Sequence, residues 1–319
     1  MSKKLKAYIK IILPISVGVF CIYFSFRNIS FTDFTKYFYE INYLWVFVGI
    51  FLGALSHISR SYRWKYLIEP LGYKLGFINS VLAVFSAYLI NYTIPRAGDI
   101  ARATMISKYE KIPFDKTLGT IVAERAVDVI CILTIIAIGL IFEFQKISDK
   151  IISFIEGKQL STIFIYIAIL ILTITITYWI IKKSKYQKSI SNFFLGIIQG
   201  LTVIFKMEKR IAFVLHSIFI WLMYVLMFWA TSMAFVELYE VAFYQFMISF
   251  TLAALSIMLS NGGIGIYPLA VEESLGWYGI QSTTGLAFGW VSWLSQTMMV
   301  VIFGGLSLFI LPFINRNKS

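Results

Sequence analysis

Charge is scarce in this sequence. Charged residues make up 14% of the 319 positions, against roughly 25% in a soluble globular domain. Hydrophobic residues make up 59%, which is more apolar surface than a soluble fold can keep from water. Cysteine and histidine are scarcer still, two of each. Cys21 and Cys131 fall inside apolar runs and read as packing residues, so no disulfide framework is expected. His57 and His216 are far apart in sequence, and without a cysteine cluster no metal site is expected. Long polar segments are missing too, so the whole chain, 1–319, reads as a single membrane domain. The sequence lacks a G-x-x-x-x-G-K-[ST] loop, an H-E-x-x-H helix and a G-x-S-x-G elbow. Those absences argue against ATP hydrolysis through a P-loop, zinc protease chemistry and α/β-hydrolase chemistry. No cofactor is expected.

What is present is a series of apolar runs, and a membrane-spanning helix needs about 20 apolar residues. Six runs qualify: about 8–26, 41–59, 117–142, 161–181, 211–235 and 285–311. The expected fold class is therefore an all-α polytopic membrane protein. The first run follows Lys3, Lys4, Lys6 and Lys10 but ends at Phe26-Arg27-Asn28 with no small-residue cleavage site, so it reads as a retained span.

Net charge is +12, a value that invites a nucleic-acid reading until its distribution is considered. Segments 1–10, 60–76, 95–116, 182–210 and 315–319 hold 22 Lys and Arg, whereas the intervening side holds five: Arg27, Lys36, Lys146, Lys150 and Lys158. Basic residues concentrate on the cytoplasmic side of membrane proteins. The asymmetry places both termini in the cytoplasm, across the cytoplasmic membrane, and explains the charge without a nucleic-acid partner.

Two shorter runs, about 77–94 and 243–260, cannot cross once under this charge rule. The first ends at Ile94-Pro95-Arg96-Ala97-Gly98-Asp99 and has basic segments on both sides. Proline ends a helix by removing a backbone donor, and the run reads as a re-entrant hairpin opening to the cytoplasm. The second breaks at Ser260-Asn261-Gly262-Gly263-Ile264-Gly265 and reads as a hairpin entering from outside. Each half is then span, span, hairpin, span: a first repeat over about 8–142 and a second over about 161–311. Three crossings per half invert the second relative to the first. Inverted repeats with helices broken at matching positions characterise transporters, and the breaks point to a substrate site near the membrane midplane. Residues 190–206 carry apolar side chains at helical spacing between Lys188 and Lys206, as in an amphipathic helix lying on the cytoplasmic surface.

Chemistry is expected where charges sit in apolar sequence. Glu124, Arg125 and Asp128 lie within 117–142, at helical i, i+3 and i+4 spacing. Each such charge costs about 2.5–3.5 kcal/mol at a helix centre, so partners or water are required. The nearest cations are Arg96 and Arg102 on the preceding hairpin, which set three arginines against Asp99, Glu124 and Asp128. One reading is an ion-pair lock holding hairpin to span; the other is a polar site for a charged headgroup, or a proton relay. Arg60 and Arg63, after the second span, read first as interfacial anchors. If they reach the site instead, arginine is in surplus, and guanidinium forks suit phosphate oxygens. The Gly262, Gly263 and Gly265 turn is either plain tight-turn geometry or an anion-binding backbone.

Three blocks resemble one known family: Pro95-Arg96-Ala97-Gly98-Asp99-Ile100-Ala101-Arg102, Glu124-Arg125-Ala126-Val127-Asp128 and Gly262-Gly263-Ile264-Gly265. It is the lysylphosphatidylglycerol synthase transmembrane-region family of flippase-like membrane proteins, and Arg60-Ser61-Tyr62-Arg63-Trp64 resembles its basic-aromatic stretch. Order and spacing agree over about 45–310. Asp99 stands where the family commonly has Glu, and the Pro and Arg-Glu that usually flank the glycine turn are replaced by Asn261 and by Tyr267-Pro268. Members that aminoacylate lipids carry a soluble transferase domain after the membrane part; the sequence stops at Ser319, so the resemblance is not expected to extend to aminoacylation. The resemblance implies a lipid flippase-like role, with phospholipids or polyprenyl-phosphate lipids as ligands. Rival readings are a membrane-embedded headgroup transferase and a scaffold for a partner glycosyltransferase or lipid-modifying enzyme.

Overall fold

The structure, a computed structural model, describes residues 31–94, 97–144, 207–259 and 262–316, with a few isolated positions elsewhere. The expected spans at 8–26 and 161–181 and the amphipathic helix at 190–206 lie outside the described residues. Among the described residues there are nine α-helices and no strand. They are α1 Phe31–Glu40, α2 Tyr43–Ile68, α3 Phe77–Thr93, α4 Gly98–Glu110, α5 Phe114–Phe142, α6 Arg210–Ser232, α7 Phe243–Leu259, α8 Ile266–Gly276 and α9 Ser282–Ile314. Four of them, α2, α5, α6 and α9, are long and apolar enough to cross a membrane. They match the expected spans beginning near 41, 117, 211 and 285. The largest difference is at the end of α2, which runs on to Ile68 rather than stopping near 59.

α2 and α6 form an antiparallel pair. Gly49 lies against Thr231 and the Met227 carbonyl near one end. Near the other end Ser59 hydrogen-bonds His216 Nδ1 at 2.8 Å and Arg63 donates to Ser217 at 2.8 Å. A small residue at such a crossing lets the two backbones approach where lipid supplies no hydrophobic drive between helices.

α3 turns back into α4, and α7 turns back into α8, each pair packed together. At the first turn Ile94 is extended and the Gly98 N–H donates to Asn91 Oδ1 at 2.8 Å. At the second, Gly262, Gly263 and Gly265 have φ of +68°, +79° and +73°, a region that residues with a Cβ rarely occupy. The two turns approach each other. A Cβ on Gly262 would lie 2.9 Å from the Tyr92 ring of α3, and Trp293 of α9 donates to the Gly262 carbonyl at 2.7 Å.

The element order repeats. α2, α3, α4 and α5 start at 43, 77, 98 and 114; α6, α7, α8 and α9 start at 210, 243, 266 and 282, each 166–168 residues later. The halves interlock: α3 of the first packs on α9 of the second, and α7 of the second packs on α5 of the first. Gly304 on α9 fits against Phe85 and Leu89, and Gly139 on α5 fits against Ile248.

Two apolar cores follow. One gathers Trp64, Leu67, Ile68, Ala83, Ala103, Ile106, Ile121 and Phe213 around the first hairpin. The other is aromatic, with Phe228 and Phe288 ring centres 4.8 Å apart and Phe235 and Phe246 beside them.

Candidate functional site

A cluster of buried charges sits inside the first core. Helical spacing puts Glu124 and Asp128 one turn apart on α5, facing the last turns of α2. Arg60 and Arg63, three apart on α2, face back. Glu124 accepts from Arg60 at 2.6 Å, lies 3.3 Å from Arg63, and receives both Nη atoms of Arg102 on α4 at 3.2 and 3.1 Å. Asp128 accepts from Arg60 at 2.5 Å, Arg63 at 3.0 Å and Arg125 at 3.4 Å. Arg125 turns its fork on Asp99, at 3.2 Å from Nε and 2.7 Å from Nη2. Planar two-pronged contacts of this kind are the strong form of the guanidinium–carboxylate bond.

Aromatic side chains close the cluster. The Arg102 guanidinium lies 3.7 Å from the centre of the Trp64 ring, and Arg63 lies 5.3 Å from that of Phe213. Ring faces attract cations by about 0.5–2 kcal/mol, more when water is excluded. The Trp64 indole N–H donates to Thr120 on α5 at 2.9 Å, which orients the ring. Tyr88 on α3 lies within electrostatic reach of Arg60 and Arg125. Its hydroxyl is 3.5 Å from that of Tyr224, and its ring centre is 4.3 Å from that of His57.

Burial divides the cluster. The side chains of Arg60, Arg63, Arg102 and Glu124 are at most 2% exposed and Asp128 is 9% exposed, whereas Arg125 and Asp99 are each 34% exposed. The site is a sealed ionic knot with one open edge, located at the first turn of α4 next to the hairpin break.

Several expectations change here. Arg60 and Arg63 are not interfacial anchors; they are 1% and 0% exposed and are the main partners of Asp128. A helix that ends near 59 cannot deliver them, whereas α2 carries them inward because α5 offers carboxylates at the same depth. Arg102 does meet Glu124, as expected. Arg96 lies outside the described residues. Gly262, Gly263 and Gly265 are not in the ionic knot; their turn meets Tyr92, one helical turn beyond Tyr88. The sequence reading missed Trp64, Ser217, Tyr88 and Tyr224 as neighbours of the charges. For Trp64 the signal was the alternation of arginine and aromatic residues over 60–66; Ser217, Tyr88 and Tyr224 carried none. Among the described residues, no group of three or more His, Cys, Asp or Glu is placed to hold a metal.

Comparison with known proteins identifies the family. No solved structure matches the chain. A UPF0104 membrane protein of Methanocaldococcus jannaschii is 33% identical over 155 residues, covering 45% of this chain and 46% of the relative, so under half of that protein's length is aligned. The lysylphosphatidylglycerol synthase transmembrane-region family matches residues 11–304. With four long apolar helices and that match over most of its length, the chain is a multi-pass membrane protein and belongs to the lysylphosphatidylglycerol synthase transmembrane-region family.

Proposed function

We propose that this protein translocates a phosphate-bearing lipid, a phospholipid or a polyprenyl-phosphate-linked lipid, across the cytoplasmic membrane without changing it chemically. The observation that carries this reading is the charge inventory of the knot. Among the described residues four arginines face three carboxylates. A surplus guanidinium beside a broken helix favours an anion, and arginine keeps its charge at any physiological pH. The headgroup enters at the open edge while its tails remain in lipid.

The topology that serves this function has six spans, two re-entrant hairpins and two inverted repeats, with both termini cytoplasmic. The element starts recurring after 166–168 residues, the antiparallel α2–α6 pair and the reciprocal hairpin packing support the inversion. The meeting of the two hairpin turns at Tyr92 and Gly262 supports a substrate site between them, since irregular backbone at membrane depth is tolerated where protein or a wet cavity surrounds it. The acids Glu124 and Asp128 are each held by at least three arginines. That arrangement suits holding and exchanging anions better than donating protons in a transferase.

The test is reconstitution in liposomes with fluorescent headgroup-labelled phospholipid and polyprenyl-phosphate probes, following quencher access to the label. Exchange faster than in empty liposomes, slowed by Arg125→Gln, is expected. Equal rates in protein-containing and empty liposomes for every probe refute the reading.

A further inference from the structure

Within the charge cluster one ion pair differs from the rest. Arg125 and Asp99 are each about a third exposed, whereas the other five members, Arg60, Arg63, Arg102, Glu124 and Asp128, are closed off. The pair also joins different elements. Arg125 is on α5 and keeps a second contact with Asp128 of its own helix at 3.4 Å. Asp99 is in the first turn of α4, immediately after the hairpin break, and its recorded salt bridge is the one to Arg125. A carboxylate that fills the fork of an accessible arginine presents two oxygens to it, as a phosphate does.

We infer that Asp99 is a built-in substitute for the ligand: a phosphate group displaces its carboxylate from Arg125, and the displacement frees the first turn of α4. This rests on the lipid-translocation reading and adds to it the docking point and the coupling step. Arg125 does not move far, because Asp128 retains it. What is released is the hairpin. Before binding, the tip of α4 is tied to α5 through Asp99. After binding, the arginine belongs to the phosphate, and Asp99 faces the open edge. The anion's arrival is thereby tied to a change in how the re-entrant hairpin is held. Arg102, on the next turn of α4, stays on Glu124 and acts as the pivot.

The test measures binding of two probes, dioctanoyl phosphatidic acid and inorganic phosphate, to the purified full chain, with dioctanoylglycerol as the phosphate-free control. A competing carboxylate lowers apparent affinity by the fraction of molecules in which the arginine is free. If that is about one in ten, Asp99→Asn tightens binding about tenfold. Asp99→Glu keeps the competitor and stays close to the unaltered protein; Arg125→Gln loses binding. Unchanged or weaker binding in a folded Asp99→Asn variant overturns the proposal while leaving translocation standing. Tightening for inorganic phosphate equal to that for the lipid supports the anion site but assigns it to free phosphate, which removes the lipid reading instead. A second measurement does not depend on Asp99 variants. Spin labels at Ile100, in the released first turn of α4, and Leu133 on α5, both exposed, are placed in a background with Cys21 and Cys131 changed to Ser. They should move apart on adding phosphatidic acid. An unchanged distance at saturating lipid refutes the release of the hairpin.

Discussion

Glu124 is an acid whose charge is matched wholly inside the protein. It is fully buried and lies within 3.3 Å of three guanidiniums, those of Arg60, Arg63 and Arg102. Glu124→Gln keeps the shape and removes the charge, leaving Arg60 and Arg63 with Asp128 as their one ion-pair partner and Arg102 with none in the knot. Breaking a buried pair by removing one partner costs about 3–5 kcal/mol, and one acid lost by three cations at once places the expectation at the upper part of that range. Arg102→Gln removes one of the stranded cations, although it also forfeits the stacking on Trp64. The double variant should therefore lose less than the two single losses added, by about 1.5–3 kcal/mol, as expected for residues in one network. SDS-induced unfolding in mixed micelles, measured on all four proteins, gives the cycle. Additivity within about 0.5 kcal/mol is what independent sites give and would refute the network. Recovery of stability without recovery of lipid exchange would mark the charges as functional beyond their structural role.

Three further outcomes are expected. Gly304→Ala places a methyl 2.7 Å from Leu89 Cβ and 2.8 Å from the Phe85 carbonyl, so it should cost about 1–3 kcal/mol by overpacking; Gly305→Ala meets nothing within 4 Å and should be neutral or slightly stabilising in the same unfolding assay. Single cysteines at Lys3, Lys185 and Lys318 should label only from the cytoplasm, and at Lys150 only from outside; labelling of Lys150 and Lys185 from the same side refutes the inverted topology. Tyr267 and Ser292, whose hydroxyls are 3.1 Å apart between α8 and α9, should couple by only about 0.5–1.5 kcal/mol, the range for a neutral hydrogen bond; a coupling as large as that of Glu124 with Arg102 would show that charge is not what distinguishes the first half.

The long helices were legible because their signal is additive: about 20 apolar residues each outweigh any single misfit. The hairpin breaks were legible for a local reason, since proline and clustered glycine act on the backbone at their own positions. The partners of Asp128 were not legible. Arg60 and Arg63 close an apolar run and precede Lys65, so they carry the same signature as interfacial anchors. Their burial depends on carboxylates more than 60 residues away, and hydropathy contains no term for that. The same oversight inflated the charge asymmetry. Arg60, Arg63 and Arg102 were counted among 22 cytoplasmic-side cations but are buried in ion pairs, which leaves 19 against five. The asymmetry behind the expected orientation survives the correction.

The two halves share an order of elements and differ in their chemistry. α4 and α5 start 168 residues before α8 and α9, so Asp99, Glu124 and Arg125 correspond to Tyr267, Ser292 and Trp293. The first set is the ionic knot. The second set makes neutral contacts: Tyr267 with Ser292, and the Trp293 indole on the Gly262 carbonyl. On the proposed translocation, a phosphate moving between the turns would pass from guanidiniums to indole and phenol groups, which form hydrogen bonds without a net charge. Two charged sites in series would hold the anion at both ends of its path, and tight binding that is equal before and after a step does not speed the step. On that reading, one charged half would concentrate the headgroup at the entrance, and one neutral half would let it leave. The recurring element order supplies two similarly placed turns; among the described residues, the side chains around the first are the ones that would hold an anion.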